Sequence, residues 1–134
     1  MVSERTKNIG IGSVLTFVTS LGTATPGFGL ILGPMFTFGG GLTGGSVGGF
    51  LEGGGAADGA KVGLLVALVG GVTFSVVAVT GGTLFDALIA TSDGSGASVG
   101  SWLVIAAVGF VSGLVFTFMG GLVGGNVAGA IRGD

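Results

Sequence analysis

The chain reads as an all-α integral membrane domain: four transmembrane helices arranged as two parallel, glycine-packed helical hairpins. Three observations predict this class. Residues 29–54 match residues 109–134 at a constant offset of 80, and half of the aligned positions are identical. The matched stretch is apolar and carries glycine at every fourth position, which removes side chains from one stripe of a helix. Hydrophobic residues make up 49% of the chain and charged residues only 7%; a soluble domain carries about 25% charged residues, so this one lacks the polar side chains to cover a surface facing water.

The 134 residues allow one compact unit, read as a single membrane domain over 1–134 with hairpin one at 8–52 and hairpin two at 61–132. A bilayer core takes about 20 helical residues, and four stretches fit. The first span, Ile9–Ala24, is short and carries Ser13, Thr16, Thr19 and Ser20, whose hydroxyls can bond back to helix carbonyls in lipid. The polar Met1–Lys7 segment ahead of it resembles the opening of a signal peptide, but Thr23-Ala24-Thr25-Pro26 is a poor cleavage site and the span is read as retained. Thr25-Pro26-Gly27 makes a tight turn into the second span, Phe28–Leu51, where Pro34 predicts a kink. Glu52–Lys61 connects to the third span, Val62–Ala90, which Gly81-Gly82 could end early. Thr91–Gly100 then leads to the fourth, Ser101–Ile131, with Trp102 in the outer aromatic belt.

The basic residues orient the spans. Arg5 and Lys7 precede span one, Lys61 lies between spans two and three, and Arg132 follows span four. With four spans all of them share one face, so the positive-inside rule puts both termini and the central connection in the cytoplasm. Spans two and four, related by the repeat, run the same way, which predicts a pseudo-twofold axis along the membrane normal. An outer-membrane barrel would need segments of about ten residues alternating apolar and polar, and Val62–Val69 and Leu103–Val108 do not alternate.

Candidate helix-packing residues are Gly40, Gly44 and Gly48 with Gly41, Gly45, Gly49 and Gly53 on span two, and Gly120 and Gly124 with Gly121, Gly125 and Gly129 on span four. Two ladders side by side smooth a broad face, which serves to close the bundle, to bind a second copy or to line a pore with flexible glycine helices. Asn126, which aligns with Ser46, is read as a hydrogen-bonding bridge between the two glycine helices. Glu52, Asp58 and Lys61 read as a solvated turn, with Asp58 capping the third helix. Asp86, near the outer end of span three, is a possible ion or proton site, because an intramembrane carboxylate is a functional candidate by default.

Catalytic and cofactor chemistry finds little footing. The chain has no Cys and no His, which leaves no soft or imidazole ligands for a metal, and no nucleophile–base pair is visible. Gly54–Lys61 is glycine-rich, but no glycine precedes the lysine and no Ser/Thr follows it, so it is not a phosphate-binding loop. The net charge of −2 gives no pull toward nucleic acid.

The segment from Gly44 to Gly63, with its Gly53-Gly54-Gly55 turn followed by Asp58-Gly59-Ala60 at the start of the next helix, resembles the central hairpin of small, four-span, glycine-rich membrane proteins of unknown function from halophilic archaea. The resemblance implies an archaeal cell membrane, or the membrane of a virus of such a host, and implies no activity. The expected function is a non-enzymatic structural or assembly component acting through glycine-zipper packing with itself or a larger membrane complex. The alternative is a small channel, transporter or holin-like permeabilising protein. The expected partners are the lipid bilayer and further copies or subunits. No cofactor is expected.

Overall fold

The computed structural model describes residues 3–20, 29–93 and 99–133, and all but a few of these are helical. Four helices follow in order: α1 (Glu4–Ser20), α2 (Gly29–Glu52), α3 (Ala56–Asp93) and α4 (Val99–Arg132). The Thr25-Pro26-Gly27 turn and the side chains of Pro34, Phe36, Phe38 and Asp86 lie outside the described residues.

The helix boundaries follow from glycine chemistry. Both copies of the repeat end in the same cap: Gly53 and its equivalent Gly133 take φ of 71° and 75°, and their N–H groups donate to the carbonyls of Gly49 and Gly129 at 3.3 and 3.0 Å. This is the left-handed cap that ends many helices, and it favours a residue without Cβ. Gly55 (φ 83°) then turns the chain into α3. The connection between α2 and α3 is therefore only residues 53–55, shorter than the expected Glu52–Lys61. Asp58 sits inside the first turn of α3 rather than at its cap. Gly81 and Gly82 do not end α3, which runs helical through both of them.

At 1.5 Å per residue, the 38 residues of α3 and 34 of α4 reach about 57 and 51 Å. α1, with 17 residues, reaches about 26 Å. Two stretches, Ala56–Leu84 and Val99–Arg132, are long and apolar enough to cross a membrane.

Contacts fix the arrangement. α4 packs on α2 and α3, and α1 packs on α2 and α3 from another side. α2 and α4 run parallel, since Gly41 meets Thr117 and Gly49 meets Gly121. α3 and α4 run antiparallel, with Gly59 near Gly125, Gly71 near Phe110 and Gly82 under the indole of Trp102. Gly82 is thus the seat of an aromatic ring rather than a helix stop: a methyl group built there would lie 2.6 Å from the indole Cε2.

The expected pseudo-twofold relation of α2 to α4 is displaced along the helix axes. Gly45 lies against Thr117 and Gly49 against Gly121, not against their sequence equivalents Gly125 and Gly129. Gly125 instead meets Gly55 and Gly59 of α3.

The interior is made of small residues. The buried apolar side chains among the described residues are Ala60, Val62, Val66, Ala67, Ala106 and Ala128, while Val104, Val108, Val111 and Ile131 are each more than 60% exposed. Most described threonine hydroxyls, and that of Ser112, are satisfied within their own helices: Thr16 donates to the Gly12 carbonyl at 3.0 Å, Thr73 to Val69 at 2.7 Å, Ser112 to Val108 at 2.6 Å and Thr117 to Gly113 at 2.6 Å, whereas Ser13 Oγ and Ser75 Oγ are buried without a partner.

Two alanine substitutions separate backbone strain from packing. A methyl group on Gly55 or on Gly113 meets nothing within 4 Å, but only Gly55 has positive φ. Gly55→Ala should lower stability by about 1–2 kcal/mol through strain alone. Gly113→Ala should be neutral or stabilising by about 0.5–1 kcal/mol. Thermal unfolding of the two variants in detergent reads both effects; equal melting shifts would contradict the assignment.

Candidate functional site

The feature that organises the molecule is a junction of three helices built on glycine. A real Cβ atom is essentially never found closer than 3.0 Å to another heavy atom, and a methyl group built on most of the ladder glycines would break that limit. On the α2 face toward α4, such a methyl group on Gly41 would lie 2.9 Å from Thr117 Oγ1, on Gly45 3.0 Å from the Gly121 nitrogen, and on Gly49 2.5 Å from the Gly121 carbonyl oxygen. From α4, Gly120 and Gly124 face the backbone of Leu42 and Ser46, at 2.5 Å from the Leu42 carbonyl oxygen and 2.9 Å from Ser46 Cα.

The second α2 ladder turns to other neighbours. Gly44 faces α1, 2.5 Å from the Gly12 carbonyl oxygen, and Gly48 faces Val62 and Val66 of α3. Gly40 is buried in line with them, as Gly129 is on α4. The remaining α4 ladder is directed at α3: Gly121 comes within 2.8 Å of Gly63 Cα and Gly125 within 2.8 Å of Gly59 Cα, again measured from a built methyl group. Gly53 carries the Arg132 guanidinium over its Cα.

Gly121 is therefore the point where three backbones converge, with Gly49 on one side and Gly59 and Gly63 on the other. Thr117, one turn earlier and fully buried, fills the space between Gly41, Gly45 and Gly63. Gly55, Gly59 and Gly63 form a third ladder that the sequence reading assigned in part to a connection. Its spacing of four residues was the available signal, masked by the neighbouring charges Asp58 and Lys61. Asn126 does not bridge the glycine helices. It is exposed on α4, because the displaced register sets Gly124 rather than Asn126 opposite Ser46.

A charge cluster closes one end of the bundle. Arg5 Nε donates to Glu52 Oε1 at 2.5 Å and Asn8 Nδ2 to Glu52 Oε2 at 3.2 Å. Lys61 Nζ pairs with Asp58 Oδ1 at 2.9 Å, and Arg5 Nη2 lies 4.0 Å from the same Asp58 oxygen. The Glu52 side chain is only 12% exposed, so the expected solvated turn is instead a covered carboxylate with two donors. Arg5, Lys7, Lys61 and Arg132 thus all gather at this end. Among the described residues no group of three His, Cys, Asp or Glu side chains could hold a metal ion. A surface groove between α3 and α4 is lined mainly by apolar residues, Val72, Val76, Val79, Leu103 and Phe110, with the hydroxyls of Ser75 and Thr80. The Asp86 carboxylate falls outside the described side chains.

The junction makes a graded prediction. Gly121→Ala places a methyl group against the α3 backbone at Gly59 and Gly63 and should cost about 1–3 kcal/mol, since overpacking a tight interior forces the backbone apart. Gly45→Leu and Gly125→Leu should prevent assembly of the bundle, while Leu65→Ile, on an exposed face, should be tolerated. Thermal melts in detergent with circular dichroism measure all four, and equal tolerance would contradict the close approach.

Comparison with known proteins returns no match among curated proteins and none among solved structures. Over residues 6–133, which take in all four helices except the first residues of α1, the chain matches the model of the Family of unknown function (DUF5518), and it belongs to that family.

Proposed function

We propose that the protein is a multi-pass integral membrane protein, its four helices crossing a prokaryotic, archaeal-type cell membrane, with the ends of the bundle that carry Arg5 and Arg132 in the cytoplasm. It works without catalysis, as a structural or assembly component that packs against further copies of itself or a larger membrane complex. One observation carries this reading: side-chain size is distributed oppositely to a soluble protein. Glycine, alanine, threonine and two valines make up most of the described interior, while Val104, Val108, Val111, Leu103 and Ile105 stand more than half exposed along α4. In water such a surface would aggregate. In lipid it is the expected exterior, and the helices are held by close packing of small residues, not by hydrophobic exclusion.

Further support comes from charge. Every Lys and Arg gathers at one end, which favours that end for the cytoplasm. The ladder glycines face other helices of the same chain, so contact with a partner falls to the outer wall of α4 and the distal half of α3. Along α4 that wall is apolar, and it suits a neighbour inside the bilayer better than a soluble one.

Reconstitution tests the reading. The protein should stay with the membrane fraction after alkaline carbonate washing, and crosslinking in vesicles should give a discrete oligomer or a defined partner. Vesicles carrying it should retain a trapped dye and an ion gradient. Extraction into water without detergent would overturn the membrane assignment, and leak abolished by Asp86→Asn would replace the assembly role with a permeation role.

A further inference from the structure

α2, α3 and α4 converge on Gly121; α1 meets α2 at a separate backbone approach, Gly12 against Gly44, and packs on α3 as well. Its buried residues are Gly12, Ser13 and Thr16, with Ile9, Leu15 and Phe17 half-buried. The Thr16 hydroxyl is spent on its own helix at Gly12, and Ser13 Oγ is buried without a hydrogen-bond partner. Close approach to α2 is concentrated where Gly12 and Thr16 cross Gly44. Among the described residues, the hydrogen bonds that tie α1 to another helix end on the Glu52 carboxylate, which accepts from Arg5 and Asn8 of α1.

We propose that α1 is a releasable arm, latched by Glu52 onto a three-helix core of α2, α3 and α4. Charge-assisted hydrogen bonds are the strong ones in a protein, and here they are concentrated on one covered carboxylate rather than spread along the helix. No neighbouring group can take over the latch. Glu4 is occupied by Lys7 at 2.7 Å, Asp58 by Lys61 at 2.9 Å, and Asp58 stands 4.0 Å from Arg5, beyond hydrogen-bonding range. Arg132 of α4 reaches Gly53, next to the latch, and adds a positive charge that no α1 acid meets. Arg5 is itself half exposed, so once freed it is solvated in place and opposes release only weakly. Lifting α1 uncovers Gly44 on α2 with Val66 and Gly70 on α3, which Gly12, Ser13 and Thr16 now cover, and leaves the Gly121 junction intact.

The chain has no cysteine, so one introduced thiol is the only reactive one. Val66 is fully buried and lies directly under Gly12 of α1; Thr117 is fully buried in the three-helix core. Val66→Cys and Thr117→Cys are made in the full chain, each with and without Glu52→Gln, and labelled in micelles with N-ethylmaleimide. With Glu52 intact, both thiols should react slowly. Glu52→Gln should accelerate labelling at Val66→Cys by roughly tenfold or more, from the loss of a hydrogen bond to a charged group, and leave Thr117→Cys protected. Arg5→Gln should act in the same direction. Protection of both thiols in the Glu52→Gln background would overturn the proposal, because α1 would then stay seated without its latch. Exposure of both would overturn it as well, because Glu52 would then hold the whole bundle rather than one arm.

Discussion

Everything in this fold depends on the missing Cβ atoms at Gly121 and its neighbours. A helix axis normally keeps 8–10 Å from the next because side chains intervene. Gly45, Gly49, Gly59, Gly63, Gly121 and Gly125 let three backbones share one spot, where a methyl group on any of them would overlap or press upon a neighbouring main-chain atom. Dispersion between closely packed chains accumulates over many weak contacts, and weak Cα–H···O interactions add to it at such crossings. Each of these glycines also carries a helix penalty of about 1 kcal/mol relative to alanine in water. That penalty is tolerable only when the close approach returns more, which is why the open position Gly113 and the junction position Gly121, alike in sequence, respond oppositely to the same methyl group.

Much of this architecture was legible beforehand. The repeat and the four helices follow from apolar runs and glycine spacing, because those signals are local; α1 and α3 start five and six residues before the apolar runs that announced them, because polar first turns carry no hydropathy signal. α2 was expected over Phe28–Leu51 and is found over Gly29–Glu52, and the fourth helix agrees as closely. What escaped was relational. Asp58 and Lys61 made 52–61 look like a connection, yet a three-residue turn suffices because Gly53 and Gly55 both adopt positive φ. Gly81-Gly82 looked like a stop because adjacent glycines weaken a helix, yet Trp102 supplies the packing that keeps it. The pairing of Glu52 with Arg5 and Asn8 joins residues 47 and 44 positions apart, and no periodicity within one helix announces such a contact.

The displaced register of α2 and α4 shows how a duplicated sequence comes to serve unequal roles. Gly45 and Gly125 are equivalent in the repeat, but the first meets α4 and the second meets α3. Identity at these positions records a shared need for a bare backbone, not a shared partner. The cap glycines Gly53 and Gly133 are different: both end their helices with the same bond to the glycine four residues earlier, so there the repeat preserves geometry as well as composition. Ser46 and Asn126 diverge because one lies in the interface and the other on the surface.

The division between bare interior and bulky exterior limits how the protein can meet anything else. Glycine faces associate strongly only when two of them are free to meet, and the described ladders are engaged within the chain. The described surface that remains is mainly valine, leucine and isoleucine, with Lys and Arg gathered at one end. Such a wall discriminates poorly by hydrogen bonding, since it presents few donors or acceptors, and specificity must then come from shape and from the charged end. The Glu52 latch lies at that end. A partner bearing a carboxylate would compete there for Arg5, and by drawing α1 aside would uncover the one smooth lane, along Gly44 and Val66, that the resting fold keeps covered. Recognition at the charged end and exposure of a packing face inside the bundle would then be one event, because both act through the same ion pair.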